Sequence, residues 1–254
     1  MTYSNKNIIS LFFRLVLGFV YLTAGFSKLA PDYIGNVIGP SRVPDELFSA
    51  CVLYLFYAIA FLQVVAGILV LSLRYAGAGL LLLLPLTLVI FIFTLLAGFG
   101  ATPLINVVLL GITTFEIYRE YYAFSNQERV NPFLYYLSGK IKNQYSKKLT
   151  QIIIGLSVLS LFTVLFPSIH LNILLSLALG LLTFMLLRLS HLATIDKVLV
   201  VLFTLFGLSV LNGIWLKEID PRFFYKALVL IPIGTIIGLL RMVWYRYKLK
   251  KQAG

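Results

Sequence analysis

Eight stretches of about twenty mostly apolar residues run through this chain, at 8–30, 50–73, 76–97, 101–119, 149–167, 169–188, 196–216 and 223–244. Roughly 20 such residues in an α-helix cover the ~30 Å of hydrocarbon in a bilayer, and lipid offers no partner to backbone groups left unpaired. The spacing predicts an all-α polytopic transmembrane bundle of about eight spans. Composition agrees, because only 12% of the 254 residues are charged, about half of the ~25% usual in soluble domains.

A net charge of +12 would suggest nucleic acid as the partner of a soluble chain. Topology accounts for it here. With the N-terminus inside, Lys28, Arg42, Lys217, Arg222 and Lys226 fall toward the outer side and the other sixteen Lys and Arg toward the inner. That is the positive-inside distribution, and it predicts cytoplasmic N and C termini with no role for nucleic acid. Lys6 before an apolar run resembles a signal sequence, but the run is long and interrupted by Arg14, so a retained first span is expected. The basic clusters KKL (147–149) and RYKLKK (246–251) suit anionic lipid headgroups.

One long inner connector, REYYAFSNQERVNPFLYYLSGKIKNQYSKK at 119–148, breaks the run of spans. Its alternation of basic and aromatic residues fits the headgroup region, and Asn131-Pro132 and Ser138-Gly139 supply breaks. The division expected is a four-helix unit at 1–124, a basic aromatic cytoplasmic connector at 125–148 and a second four-helix unit at 149–254. AGILVLSLR (66–74) loosely echoes ALGLLTFMLLR (178–188), but the polar residues of the two halves do not superpose. The outer segment APDYIGNVIGPSRVPDELFSA (30–50), rich in Pro and Gly, reads as an ordered cap or a short re-entrant stretch.

Within the first span, positions 14, 18, 21, 25 and 28 share a helix face and read Arg, Gly, Tyr, Gly, Lys. The neighbouring face reads Leu15, Phe19, Leu22 and Phe26. The small, polar face is expected to meet protein and the bulky one lipid. At about 1.5 Å of rise per residue, Arg14 and Lys28 lie about 21 Å apart, near opposite membrane surfaces.

RLVLGFVYLTAGFSKL, followed by LQVVAGILVLSLRYAGAGLLLLL and then PLINVVLLG, resembles the DoxX family and the related MauE-type membrane proteins over about residues 8–124. The matching positions are Arg14, Gly18, Gly25, Lys28, Gln63, Gly67, Arg74 and Asn106. The resemblance implies a four-helix membrane bundle of the kind found in bacterial inner-membrane subunits linked to quinone reduction, sulfur-compound oxidation and redox maturation. Distant relatives of that superfamily act as cargo receptors or assembly factors, so fold does not fix function. The second half resembles no family.

An unpaired guanidinium inside a span costs on the order of 2.5–3.5 kcal/mol on insertion scales, so Arg14 needs a partner or must snorkel to the headgroups. Glu116 lies at similar depth in the fourth span and shares a face with Asn106 and Thr113, and an Arg14–Glu116 ion pair is expected. Lys28, Tyr54, Tyr57, Gln63 and Asn106 are expected to line a cleft near the outer leaflet, donating to a ligand oxygen between apolar walls. The plainer readings are interfacial tyrosines, a lysine reaching water and a Gln63 bonded across helices. Gly18, Gly25 and Gly67, and the Gly-x-x-x-Gly pair Gly234 and Gly238, are candidate helix-packing positions.

His170 and His191 sit at opposite ends of the sixth span, which excludes both from one iron. No His, Cys or carboxylate cluster has metal-ligand spacing. Cys51 alone forms no intramolecular disulfide. The leading expectation is an inner-membrane protein that binds quinone or another lipid-like ligand beside a redox partner subunit, with no covalent cofactor. An assembly, cargo or scaffold factor for client membrane proteins is the second, and transport a distant third, Glu116 being the one acid well inside a span.

Overall fold

The computed structural model describes residues 5–37, 41–42, 49–125, 147–164, 169–189 and 192–253. These form helices α1 (Asn5–Leu29), α2 (Ala50–Leu71), α3 (Ala76–Leu96), α4 (Thr102–Ser125), α5 (Lys147–Thr163), α6 (Ile169–Leu187), α7 (Thr194–Leu211), α8 (Gly213–Ile219), α9 (Phe223–Leu228) and α10 (Leu230–Ala253), with no strand among the described residues. Most of the connector, 126–146, lies outside them, as does His191.

Four helices, α1 (from Ile9), α2, α3 and α7, are long and apolar enough to cross a membrane. Shorter apolar stretches occupy Thr150–Phe162, Leu171–Leu187 and Leu230–Arg241. The last two apolar stretches of the sequence are broken rather than continuous. The seventh ends at Asn212, whose side-chain amide donates back to Leu208 O at 2.9 Å and across to Ser176 Oγ at 3.1 Å. The eighth divides at Val229 between α9 and α10. Pro232 lies in the first turn of α10, where its missing N–H removes no helical bond; it starts a helix instead of kinking one.

The first four helices pack in a ring, α1 on α2, α2 on α3, α3 on α4 and α4 back on α1. In the second half α5 packs on α6, α6 on α7, and α10 on α7. Asn172 Nδ2 of α6 donates to Tyr33 O at 2.8 Å, and a Cβ on Gly35 would collide with Val210 O of α7. The segment after α1 therefore caps the N-terminal end of α6 and the C-terminal end of α7, so these ends lie on one side with the end of α1.

The lipid-facing role expected for Leu15, Phe19, Leu22 and Phe26 is corrected here. All four are buried, Leu15 and Phe26 completely, in a core that also holds Leu171, Leu175, Leu179, Leu182 and Leu186 of α6 and Val200, Val210 and Leu211 of α7. Phe19 meets Phe203 of α7 edge-on, with ring centroids 5.7 Å apart. The opposite side of α1, through Leu17, Val20 and Tyr21, joins a second core with Ala66, Val70, Leu80, Leu83 and Leu109. Helix α1 is thus enclosed over 78% of its apolar window, against 39%, 33% and 39% for α2, α3 and α7. A bulky apolar face reads alike whether lipid or a second protein layer covers it, and here protein covers it. The core crosses the boundary drawn at the connector.

Close approach of α1 and α2 depends on small residues. A Cβ on Gly67 would lie 2.7 Å from Leu22 N and 2.8 Å from Gly18 O; one on Gly25 would lie 2.6 Å from Ala60 O. Gly18 faces Leu71 at 2.7 Å in the same way. Backbones this close gain dispersion contacts that larger residues would prevent. Gly234 and Gly238 are different. Nothing lies within 4 Å of the position a Cβ would take on either, so the close helix approach expected of them is corrected: both are half-buried on the face of α10 that carries Arg241, with space left beside them.

Candidate functional site

Where α1 ends and α2 begins, the ring of four helices encloses a cavity of about 60 Å³. Every one of the four contributes: Val20, Tyr21, Ala24 and Lys28 from α1; Val52, Leu55, Phe56, Ile59 and Gln63 from α2; Ile90, Phe93 and Thr94 from α3; Thr102, Asn106 and Leu109 from α4. Its walls are mainly aliphatic and aromatic. Three polar side chains predicted from the sequence, Lys28, Gln63 and Asn106, line this one space.

Each is held differently. Lys28, 9% exposed, folds back along its own helix, as α-helical geometry favours, and donates to Ala24 O at 2.9 Å. Its ammonium lies 5.8 Å from the centre of the Phe56 ring, within cation–π range. Asn106 Nδ2 donates to Thr94 Oγ1 at 3.0 Å, and Thr94 Oγ1 donates in turn to Phe91 O at 3.1 Å. Gln63 is 3% exposed, and its Oε1 is buried with no hydrogen-bond partner. Below them Thr87 Oγ1 donates to Leu83 O at 2.7 Å. The one hydroxyl proton of Thr87 being thus engaged, Tyr21 Oη is the donor in the 2.5 Å bond between the two.

Tyr54 and Tyr57 are corrected. They are 75% and 44% exposed and do not line the cavity; Val52, Leu55, Phe56, Ile59 and Gln63 mark the inward face of α2, and both tyrosines fall outside it. Polar tips drew attention to the tyrosines, but helical phase selects Phe56. Counting inward positions from Gln63 by three and four residues would have found it.

At the opposite end of α1, Arg14 Nε donates to Glu116 Oε2 at 2.9 Å, and its Nη2 pairs with Glu120. Ser10 Oγ donates to Glu116 Oε2 at 2.5 Å. Glu116 is completely buried, as is Thr113, and Asn106 nearly so, which puts three polar groups on the inward face of α4, with Leu109 between them. Arg119 lies within electrostatic reach of Arg14, Glu116 and Glu120. Glu120, one helical turn beyond Glu116, was not singled out from the sequence, although i, i+4 spacing places it on the same face.

A second buried ion pair was also missed. Asp196 at the start of α7 pairs with Arg241 of α10, the two being 1% and 6% exposed, and Asp196 Oδ2 also accepts from Ala193 N at 3.2 Å. The argument that finds a partner for Arg14 applies equally to an arginine inside the last apolar stretch. Arg74 lies in the short connection from α2 to α3, away from the cavity lining. Cys51 is exposed. Among the described residues, no three of His, Cys, Asp and Glu cluster as metal ligands would. No family model, curated protein or solved structure matches this chain.

Proposed function

We propose that this chain is a multi-pass inner-membrane protein of DoxX/MauE type whose four-helix ring holds the polar head of a lipid-like ligand, quinone included, beside a redox partner subunit. One observation carries the reading: Lys28, Gln63 and Asn106, from three different helices, converge on one apolar-walled cavity. Apolar walls with a few converging polar groups are the usual make-up of a small-molecule site. Eight membrane passes with both termini in the cytoplasm belong to the same proposal and are supported by the charge distribution.

Mass spectrometry of the gently solubilised protein tests it. Bound quinone or lipid-like ligand in the wild type, lost in the double substitution Lys28→Ala with Gln63→Ala, supports the proposal. A wild-type protein with no ligand contradicts it.

The second reading, a scaffold or assembly factor for membrane proteins, is favoured by α10, where Ile236, Leu239, Leu240 and Val243 are exposed on the side away from Arg241. Client proteins that copurify with the wild type and are lost when Leu240→Ala is combined with Val243→Ala would favour it.

A further inference from the structure

Two cations lie buried on α1 inside the ring, Arg14 and Lys28, and the chain treats them differently. Arg14 meets Glu116 and Glu120 of α4, the only acids that the four ring helices carry. Both carboxylates therefore sit at the Arg14 end of α1. Lys28 lies about 21 Å away by helical rise, and no ion pair among the described residues includes it. Of its three N–H donors, one goes to Ala24 O at 2.9 Å, and the Phe56 ring 5.8 Å away adds only the attraction of its face. A buried cation is costly unless an anion accompanies it. Two carboxylates neutralise Arg14; the anion for Lys28 is left for a ligand to bring.

The cavity sets the form of that anion. Lys28 and Phe56 are both among its walls, and Lys28 is the one charged residue that lines it, which matches a single negative charge. At about 10–15 Å³ for one water-sized probe, a cavity of about 60 Å³ takes roughly four to six small groups. A carboxylate and the first carbons of its chain fit that space, whereas a glycerophosphate head outgrows it. A neutral quinone head brings acceptors but no charge. Leu55 lines the cavity and is also 51% exposed, so the wall at α2 reaches the outer surface of the ring and gives a single alkyl tail a way out.

We propose that the cavity selects a fatty acid, its carboxylate paired with Lys28 Nζ and its tail leaving past Leu55. This rests on the reading of the cavity as a lipid-ligand site and assigns the charge of the ligand within it.

The test uses the full chain in phosphatidylcholine nanodiscs with radiolabelled tetradecanoate and tetradecanol, which differ only in the head. The wild type is expected to bind the acid about tenfold more tightly than the alcohol, the scale of a hydrogen bond to a charged group. Lys28→Gln abolishes that preference, and Lys28→Arg, which keeps the charge, retains it. A second measurement needs no variant: tetradecanoate with a diazirine on an early chain carbon should label cavity residues of α2 such as Leu55 and Ile59, and excess tetradecanoate, but not phosphatidylglycerol, should suppress the label. Equal binding of acid and alcohol, a preference that survives Lys28→Gln, or labelling that misses the cavity walls overturns the inference. Suppression by phosphatidylglycerol overturns it by placing a phospholipid head in the cavity, and leaves the lipid-ligand reading standing. Binding of a short-chain quinone with neither the acid nor the alcohol does the same. Absence of binding by all of these compounds overturns both.

Discussion

Arg14 of α1 and Glu116 of α4 meet through a 2.9 Å bond between Nε and Oε2, in a region where Glu116 has no exposure at all. Glu120 is the second carboxylate on the same guanidinium. Removing one partner of a buried ion pair costs about 3–5 kcal/mol because the other charge is left uncompensated. Arg14→Met, which strands two carboxylates, is therefore expected to lower the unfolding temperature more than Glu116→Gln, which leaves Arg14 with Glu120. The exchange Arg14→Glu with Glu116→Arg should recover part of the loss caused by either single reversal. Thermal unfolding of the variants in one detergent checks the order.

Glycines separate into two groups by what faces them. Gly67→Ala would place a methyl group 2.7 Å from Leu22 N and 2.8 Å from Gly18 O, both backbone atoms that cannot yield alone. Overpacking of this kind costs about 1–3 kcal/mol. Gly238→Ala enters open space, and substitutions without such a contact usually stay within about 0.5 kcal/mol. Unfolding midpoints of the two variants should differ accordingly.

Arg241 gives α10 its buried polar attachment to α7, through Asp196. Asp196→Asn is expected to lower stability by several kcal/mol, on the order of 3–5 for a broken buried pair, and to increase hydrogen exchange in α10 more than in α2. The exchange Asp196→Arg with Arg241→Asp should restore protection. Peptide-level exchange in nanodiscs reads both effects.

Between α8 and α9, hydrogen bonds from Lys226 Nζ and then from the backbone N–H of Arg222 hold the Asp220 carboxyl below the ordinary carboxylate range. A carboxyl depressed in the folded state stabilises it above the unfolded pKa and loses that contribution as pH falls through the folded value. Protection of Phe223–Leu228, taken relative to the intrinsic exchange rate at each pH, should stay constant from neutral pH down to the ordinary carboxylate range and fall only in more acidic solution. Asp220→Asn should remove the acidic step.

The sequence made the helices of the first half legible because each is a long apolar run with short polar breaks, and depth arguments sufficed to bring Arg14 to Glu116 and Lys28 to Gln63 and Asn106. Side-chain polarity misled at Tyr54 and Tyr57, where helical phase rather than hydrogen-bonding capacity decides what faces inward. Leu15, Phe19, Leu22 and Phe26 were illegible for a different reason. Lipid and protein interior are equally apolar solvents, so hydropathy cannot say which of them covers a leucine. Only the arrangement of α6 and α7 against α1 resolves it. Asp196 and Arg241 lie 45 residues apart in a half with few polar residues to mark its depth, and the pair emerges only when α10 is seen beside α7.

The enclosure of both the Arg14 face and the Phe19 face of α1 by protein underlies both the polar interior and the cavity, and labelling from within the bilayer tests it without altering the chain. A diazirine-bearing phospholipid would be activated in reconstituted wild-type protein and the adducts mapped by peptide mass spectrometry. Adducts are expected on the exposed faces of α2, α3 and α10, at residues such as Phe61, Leu88 and Leu240, with Leu15, Phe19, Leu22 and Phe26 unlabelled. Labelling of those four residues at a level equal to Phe61 would contradict the account.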